Sequence, residues 1–367
     1  MRLTVRPPEL AAALSLAGHA VPARTTVPTL SSVLLQATED GTMYVTATDL
    51  DMAIRVSLAA IVEEPGDAVL PYRYFCDIIR HITEPELHLQ VDATSFAATL
   101  QSGRGRYEIN GYDPASYPVL PSVPTGQGVR VPDDQLRLWS RQTVFAAAQD
   151  MSRPALTGVL WEAGNDALRL VATDGTRLAY READAIPLGQ ERSSMVVPAR
   201  AMQQLLRMPS GEREVTVRVG PSHVWFEWRS AFLVCRLLAS PYPDYRQVMP
   251  REYMCRVRMD RAAFRGACQR AALMSRDGFP VVRLQIGEGR VLVAASSPAV
   301  GRAEEEVEAE IEGKPLEIVF NANLLLDGVE ALEGQDLLFA ASGPQAVCML
   351  RDADAARYSY YVLPLRQ

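Results

Sequence analysis

Lysine is almost missing from this 367-residue chain: Lys314 is the only one, so nearly all of the positive charge is arginine. Any contact with phosphate therefore has to be made by guanidinium groups, which bind oxyanions through a planar fork of donors. Apolar runs are short, charged residues make up 22%, and the mean hydropathy is -0.03. No segment approaches the roughly 18 apolar residues of a spanning helix, which excludes a helical membrane protein. The opening MRLTVRPPEL has neither the apolar core nor the small-residue cleavage site of a secretory signal, so a cytoplasmic location is expected. Five cysteines (Cys76, Cys235, Cys255, Cys268, Cys348) are odd in number and never spaced C-x-x-C, and read as reduced core thiols. Four dispersed histidines (His19, His81, His88, His223) form no metal-binding pattern, and neither a metal nor a cofactor is expected. A P-loop, a dinucleotide fingerprint and a nucleophile elbow are also absent. The net charge of -7 argues against a protein coated in nucleic acid, although it says nothing about any one face.

What the chain does have is internal repetition. An alternating strand MYVTATDLDMAIRV starts at Met43 and a second, LRLVATDGTRLAYRE, starts at Leu168, with Ala47 and Ala172 125 positions apart. Each is followed by a strand-end proline and an amphipathic helix, LPYRYFCDIIRHI and VPARAMQQLLRMP, then by a proline-tyrosine loop. A fainter third copy reads VLVAASSPAVGRAEEEV and IVFNANLLLDGVEAL. Length and spacing together give three units of about 120 residues, each α+β with two helices and about half a dozen antiparallel strands. The boundaries expected are 1–123, 128–250 and 251–367.

On a helical wheel, Gln203, Gln204 and Arg207 fall within about 60° of Arg200, opposite Met202, Leu205 and Leu206. The same register in the first unit sets Arg73 and Arg80 above Phe75, Ile78 and Ile79, with Asp77 interrupting. The opening helices add Arg137 with Arg141, and Arg261 with Arg265 and Gln269, at i, i+4 spacing. In the third unit the positions of Arg200 and Arg207 are held by Asn323 and Glu330, so the basic face is incomplete there. Each such face can be ordinary solvated surface, and its recurrence favours a surface turned toward phosphate. No aromatic side chains interleave with the arginines as stacking platforms, so contact with the backbone and no sequence readout is expected.

Asp49, Asp51 and Asp174 are the best candidates for metal or acid-base chemistry, but an Asp-Gly between two alternating strands is a hairpin turn by composition. The terminal YYVLPLRQ is apolar nearly to its end and must be docked. Val362, Leu363, Pro364 and Leu365 are expected to line a groove beside the VATDGTRL and PYPDYRQV segments, with Arg177, Arg246 and Arg366 as a polar rim.

The threefold repeat, ATDGTRL, SPYPDYRQVMP and the terminal YVLPLR resemble, in the right order over the whole chain, the bacterial DNA polymerase III beta subunit family, the sliding clamps. The resemblance implies three repeated DNA-clamp domains, two helices on antiparallel sheets in each, forming half of a six-domain ring. It implies a homodimer that encircles duplex DNA without sequence preference and catalyses nothing. It further implies that the ring tethers the polymerase III catalytic subunit, the clamp loader and other replication and repair proteins through linear peptides. Carried over by position, the peptide pocket resembles Leu156, Thr173, Gly175, Arg177, Leu178, Pro243, Arg246, Val248, Val362, Leu363, Pro364, Leu365 and Arg366. The DNA-facing positions resemble Arg24, Arg73, Gln149 and Arg200, to which the wheels add Arg80, Arg137, Arg141, Gln203 and Arg207. Thr176 stands where the family commonly has histidine, and Pro154 where an aromatic residue can sit near DNA. Head-to-tail pairing should join the first unit of one copy to the third of another by continuing a sheet. Two rival readings remain, a metal-dependent enzyme on Asp49, Asp51 and Asp174, and a monomeric β-rich scaffold without a DNA role.

Overall fold

A computed structural model of the chain describes residues 1–126, 128–186, 193–275 and 279–366. The repeat is present three times, each copy with two helices. These are α1 (Pro7–Ala17) and α2 (Tyr72–His81), α3 (Asp133–Thr143) and α4 (Ala199–Leu205), and α5 (Arg261–Ala272) and α6 (Ala322–Glu330). Among the described residues the first repeat carries nine strands and the second and third eight each, where the alternation in the sequence suggests about six. The extra strands, such as Val129–Pro132 and Gly105–Ile109, are short and carry polar or glycine residues, so hydrophobic period alone does not mark them.

The helices follow their apolar periods. Leu10, Ala13, Leu14 and Ala17 of α1 are buried and pack against α2, which buries Phe75, Cys76 and Ile79. Phe264, Ala267, Cys268 and Ala271 of α5 do the same against α6. In α6, Gly328 has a specific reason: a Cβ there would lie 2.2 Å from Cδ1 of the buried Tyr360 ring. All five cysteines are buried free thiols.

By contact density the chain divides into two compact units, Met1–Arg137 with Gln203–Leu237, and Leu138–Met202 with Leu238–Gln367. Within the first, strand Met52–Ala59 pairs with Ala231–Arg236, so one eight-stranded sheet runs from the first repeat into the second. Within the second, Arg177–Asp184 pairs with Tyr358–Val362 in the same sense, giving a twelve-stranded sheet that joins the second and third repeats. The registers match: Cys235 faces Met52 and Ala231 faces Val56, as Val362 faces Arg177 and Tyr358 faces Arg181.

A second device recurs in every repeat. After its last strand the chain crosses to the edge of the other meander and donates one backbone hydrogen bond: Tyr112 to Val69 (2.9 Å), Leu238 to Val196 (3.0 Å) and Leu365 to Val319 (2.8 Å). An edge strand is thereby partly capped within its own repeat.

Candidate peptide groove and candidate DNA-facing helices

The groove is built on the turn between strands Ala167–Thr173 and Arg177–Asp184. Thr173 Oγ1 accepts the Gly175 N–H (3.0 Å) and donates to the Arg177 carbonyl (2.5 Å). Asp174 Oδ1 accepts the N–H groups of Thr176 (2.8 Å) and Arg177 (3.0 Å). Gly175 has φ +93°, a left-handed conformation open to glycine at little cost. The first repeat makes the same turn with Thr48 and Asp49, and there Leu50 takes the positive φ of 78°. Both aspartates thus serve the turns, as the hairpin reading expects. Among the described residues no group of three or more His, Cys, Asp or Glu is arranged to hold a metal ion.

Behind the turn, Leu160, Val171, Leu178, Val196 and Tyr245 form a buried apolar cluster. Tyr245 donates from its hydroxyl to Glu162 (3.0 Å), and burial raises its pKa. The neighbouring Tyr180 is pushed up to about 12 by burial and by its bond to Glu182. In front of the cluster lies an open cavity of about 230 Å³. Of the residues expected from the sequence, Leu156, Thr173, Gly175, Arg177, Leu178, Pro243, Val248, Val362 and Leu363 line it, and so does Thr176. Arg153, Asp244, Tyr245, Val347 and Tyr361 line it too, unanticipated. Asp244 and Tyr245 lie inside the PYPDYRQV segment and could have been found there; nothing in the sequence marks Val347.

Four expected groove residues are not in its wall, and one is there in a different role. Leu365 is drawn away by its backbone bond to Val319, the closure common to all three repeats, and Pro364 beside it is buried. Arg366 is exposed and outside the lining. Arg246 lies over the Tyr245 ring, 4.6 Å from its centroid, and pairs with Glu162. Arg177 is no rim residue: its side chain is 11% exposed, and it donates to Asp174 (2.9 Å), to Asp327 and to the Phe145 carbonyl (2.6 Å). Burial works against its charge, but Tyr360, Asp327 and Asp174 outweigh that and its pKa is raised.

The arginine faces divide under the same scrutiny. Arg73 and Arg80 are exposed on α2, as expected, with Phe75 and Ile79 buried beneath them. Arg80 approaches Ser15 (3.5 Å). Tyr74, 67% exposed beside Arg73, corrects the expectation that no aromatic side chain accompanies the arginines. On α4, Arg200 and Gln203 are exposed, but Gln204 is buried. Arg207, just past the helix, is exposed and meets His19 Nδ1 at 3.1 Å. Arg24 and Gln149 are exposed in loops, and Arg141 is exposed with Glu333 4.0 Å away.

Arg137 is the clear correction. Its side chain is only 16% exposed, paired with Asp133 (2.7 Å), and donates to the carbonyls of Leu206 (3.0 Å), Met208 (3.0 Å) and Pro209 (2.8 Å). It satisfies the unpaired carbonyls after α4, a helix-terminal role for a cation. Arg261 likewise donates to the Leu332 carbonyl just after α6. The i, i+4 arginines of the opening helices therefore include structural clamps.

The repeated fold defines the class, a clamp of three similar α+β domains. The family models for the DNA polymerase III beta subunit match in order: the N-terminal domain over residues 1–121, the central domain over 130–244 and the C-terminal domain over 246–366. A curated beta sliding clamp of Synechococcus elongatus is 32% identical, over 100% of this chain and 99% of its own length. Among solved structures, the sliding clamp of Bacillus subtilis superposes with a TM-score of 0.95 at 28% identity, covering 100% of this chain and 99% of that one. The DNA polymerase III subunit beta of Pseudomonas aeruginosa gives a TM-score of 0.91 at 30% identity, covering 100% of both chains. The chain belongs to the DNA polymerase III beta subunit family, the sliding clamps that give replication its processivity.

Proposed function

We propose that two copies of this chain close head to tail into a six-domain ring around duplex DNA, and that the ring carries its partners on the groove at residues 173–177. The carrying observation is that the sheet junction made twice within the chain leaves one unmatched half at each end. Strand Gly301–Gly313 is the third-repeat counterpart of Met52–Ala59 and Arg177–Asp184. Among the described residues its 301–308 section is paired only on the side of Arg290–Ser297. Strand Gly105–Ile109, counterpart of Ala231–Arg236 and Tyr358–Val362, ends its sheet.

Carrying over the register of the two formed junctions sets Arg106 opposite Glu304 of a second copy, Tyr107 opposite Ala303 and Glu108 opposite Arg302. Charges of opposite sign then face each other twice. Tyr107, 42% exposed, occupies the position of Leu233 and Tyr360, which are fully buried. Leu273, 57% exposed, occupies that of Phe145, whose ring meets Tyr360 at 5.7 Å. Two exposed apolar side chains thus stand where the formed junction packs its counterpart pair.

Domain boundaries at 1–123, 128–250 and 251–367 fit this reading, since Tyr245 and Met249 pack with the second repeat's core. Arg24, Arg73, Arg80, Arg141, Gln149, Arg200, Gln203 and Arg207 are the phosphate-facing set, with Arg137 removed from it. Enclosure makes strong contacts unnecessary, so weak and mobile ones permit sliding. The partners are duplex DNA, the polymerase III catalytic subunit, the clamp loader and other replication and repair proteins, in the cytoplasm and without a cofactor. Among the described residues no helix is long and apolar enough to cross a membrane. The test is retention after loading: protein held on nicked circular DNA and lost when that DNA is linearised supports the ring. Equal retention on both, or a monomer at micromolar concentration, refutes it.

A further inference from the structure

We propose that the eight-stranded sheet docks a partner protein where the first repeat meets the second, through a segment presenting a carboxylate between apolar side chains, and that Arg55 receives that carboxylate. The face concerned lies opposite the one that buries Val45, Ile54 and Leu233. On it Arg55 stands between Thr46 and Phe232, its partners on the neighbouring strands. Two rings flank its guanidinium, with centroids at 5.6 Å for Tyr44 and 5.2 Å for Phe232. Nε donates to Thr46 Oγ1 (3.1 Å) and Nη2 to Gln36 Oε1 (3.3 Å), while Nη1 donates to no described residue.

Rings and neutral oxygens hold this cation in place without neutralising it. Among the described residues it has no ion pair. Asp67 lies beyond ion-pair distance and accepts from Gln36 Nε2 (3.4 Å), and Glu227, opposite Phe232, is held by Arg218 (3.0 Å). Burial outweighs the pull of Tyr44 and Asp67, so the pKa of Arg55 is lowered, whereas that of Arg177, which has two carboxylates, is raised. The second repeat shows what is missing. There the register sets Tyr180 in the place of Arg55 and Glu162 in that of Gln36, and Glu162 takes the Tyr245 hydroxyl (3.0 Å) and Arg246. The first repeat has the cation without the acid. A half-buried guanidinium with open donors, its plane fixed by flanking rings, is completed by an acid from outside through charge-assisted hydrogen bonds. Phe232 and Leu120 pack on Ala53, Trp225 and Val234, and Val119 beside them is 96% exposed, so apolar neighbours of that acid have surface to cover. Trp225 Nε1, buried in the same cluster, also lacks an acceptor.

The probes are fluorescein-labelled dodecapeptides, amidated at the C-terminus, with Leu-Glu-Phe or Leu-Gln-Phe at the centre of a Gly/Ser frame. Anisotropy is read against the intact protein at low and high salt. The wild type should bind the Glu peptide about tenfold more tightly than the Gln peptide, with a smaller gap at high salt. Arg55→Gln should remove the gap. Gln36→Glu supplies the acid within the chain and should narrow the gap with Arg55 still in place, which decides the matter if Arg55→Gln does not fold. Val248→Asp, at the groove of residues 173–177, should leave the gap as it is. A gap undiminished in folded Arg55→Gln or in Gln36→Glu, or one lost in Val248→Asp, would overturn the role of Arg55. Glu and Gln peptides that bind the folded wild type alike, or not at all, would overturn the docking site. A dimer weakened by Arg55→Gln in sedimentation would give the face to a second copy and overturn the partner assignment.

Discussion

Replacing Tyr107 with alanine tests the ring at its one unformed junction. A tyrosine side chain presents about 200 Å² to be covered, and the 42% that stays exposed here leaves roughly 80 Å² for a second copy to bury. At about 25 cal/mol per Å² this is worth about 2 kcal/mol at each interface. A closed ring of two chains has two such interfaces, so the loss approaches about 4 kcal/mol and weakens the dimer by roughly 10³-fold. Fold stability should move by only about 0.5 kcal/mol, since the side chain is half exposed within its own chain. Sedimentation equilibrium over nanomolar to micromolar protein reads the shift from twice the chain mass of 40.3 kDa to that mass itself. Tyr74→Ala is the control: the side chain is more exposed but lies on α2 rather than a sheet edge, and its loss should leave the dimer unchanged. A Tyr107→Ala dimer as tight as wild type, or equal weakening by both variants, would refute the junction argument.

Charge offers a second probe of the same edge: Arg106→Glu should weaken the dimer and Glu304→Arg should restore it, as read by sedimentation of the single and double variants. Replacing Arg73 and Arg200 with glutamate should lower retention on circular DNA and reduce the log-log salt slope by roughly 0.9 for each lost contact, and an unchanged slope in a folded dimer would remove both from the DNA face. Arg137→Ala should instead cost about 2–3 kcal/mol in thermal or urea unfolding, because three carbonyls lose a charged donor, and should leave the salt slope alone. His19 has its pKa lowered by burial and by Arg207, so below its ordinary 6.5 the unfolded chain takes up a proton that the folded chain resists. Stability should therefore fall as the pH drops from 7 to about 5.5, and His19→Gln should flatten that dependence in urea titrations.

The tail carries a correction to any simple deletion experiment. Removing the residues after Val362 takes away Leu363 from the groove wall, and also the bond from Leu365 to Val319 that closes the third repeat. A loss of peptide binding in such a truncation would need the melting temperature beside it, since one edge closure disappears together with one side of the pocket.

Spacing and period were enough for the three repeats, the amphipathic floors of α2 and α4, and the turn chemistry of Thr173, Asp174 and Gly175, because each depends on residues near one another in the chain. A helical wheel gives the direction in which a side chain leaves its axis, and direction separated Arg73 from Phe75 correctly. It could not say what stands opposite. Arg137 and Arg73 look alike in sequence, yet carbonyls some seventy residues downstream claim Arg137, and Gln204 is buried although its wheel angle matches that of Arg200. Val347 reaches the groove because packing brings its loop there, and Leu365 leaves it because a backbone edge needs a donor. The short strands at sheet ends carry too few apolar residues to show a period, so their pairing was decided by hydrogen-bonding edges that only the folded sheets present. Local geometry was written in the order of the residues; which charges are spent and which stay available was decided by long-range packing, because a guanidinium binds whichever acceptors the fold sets around it.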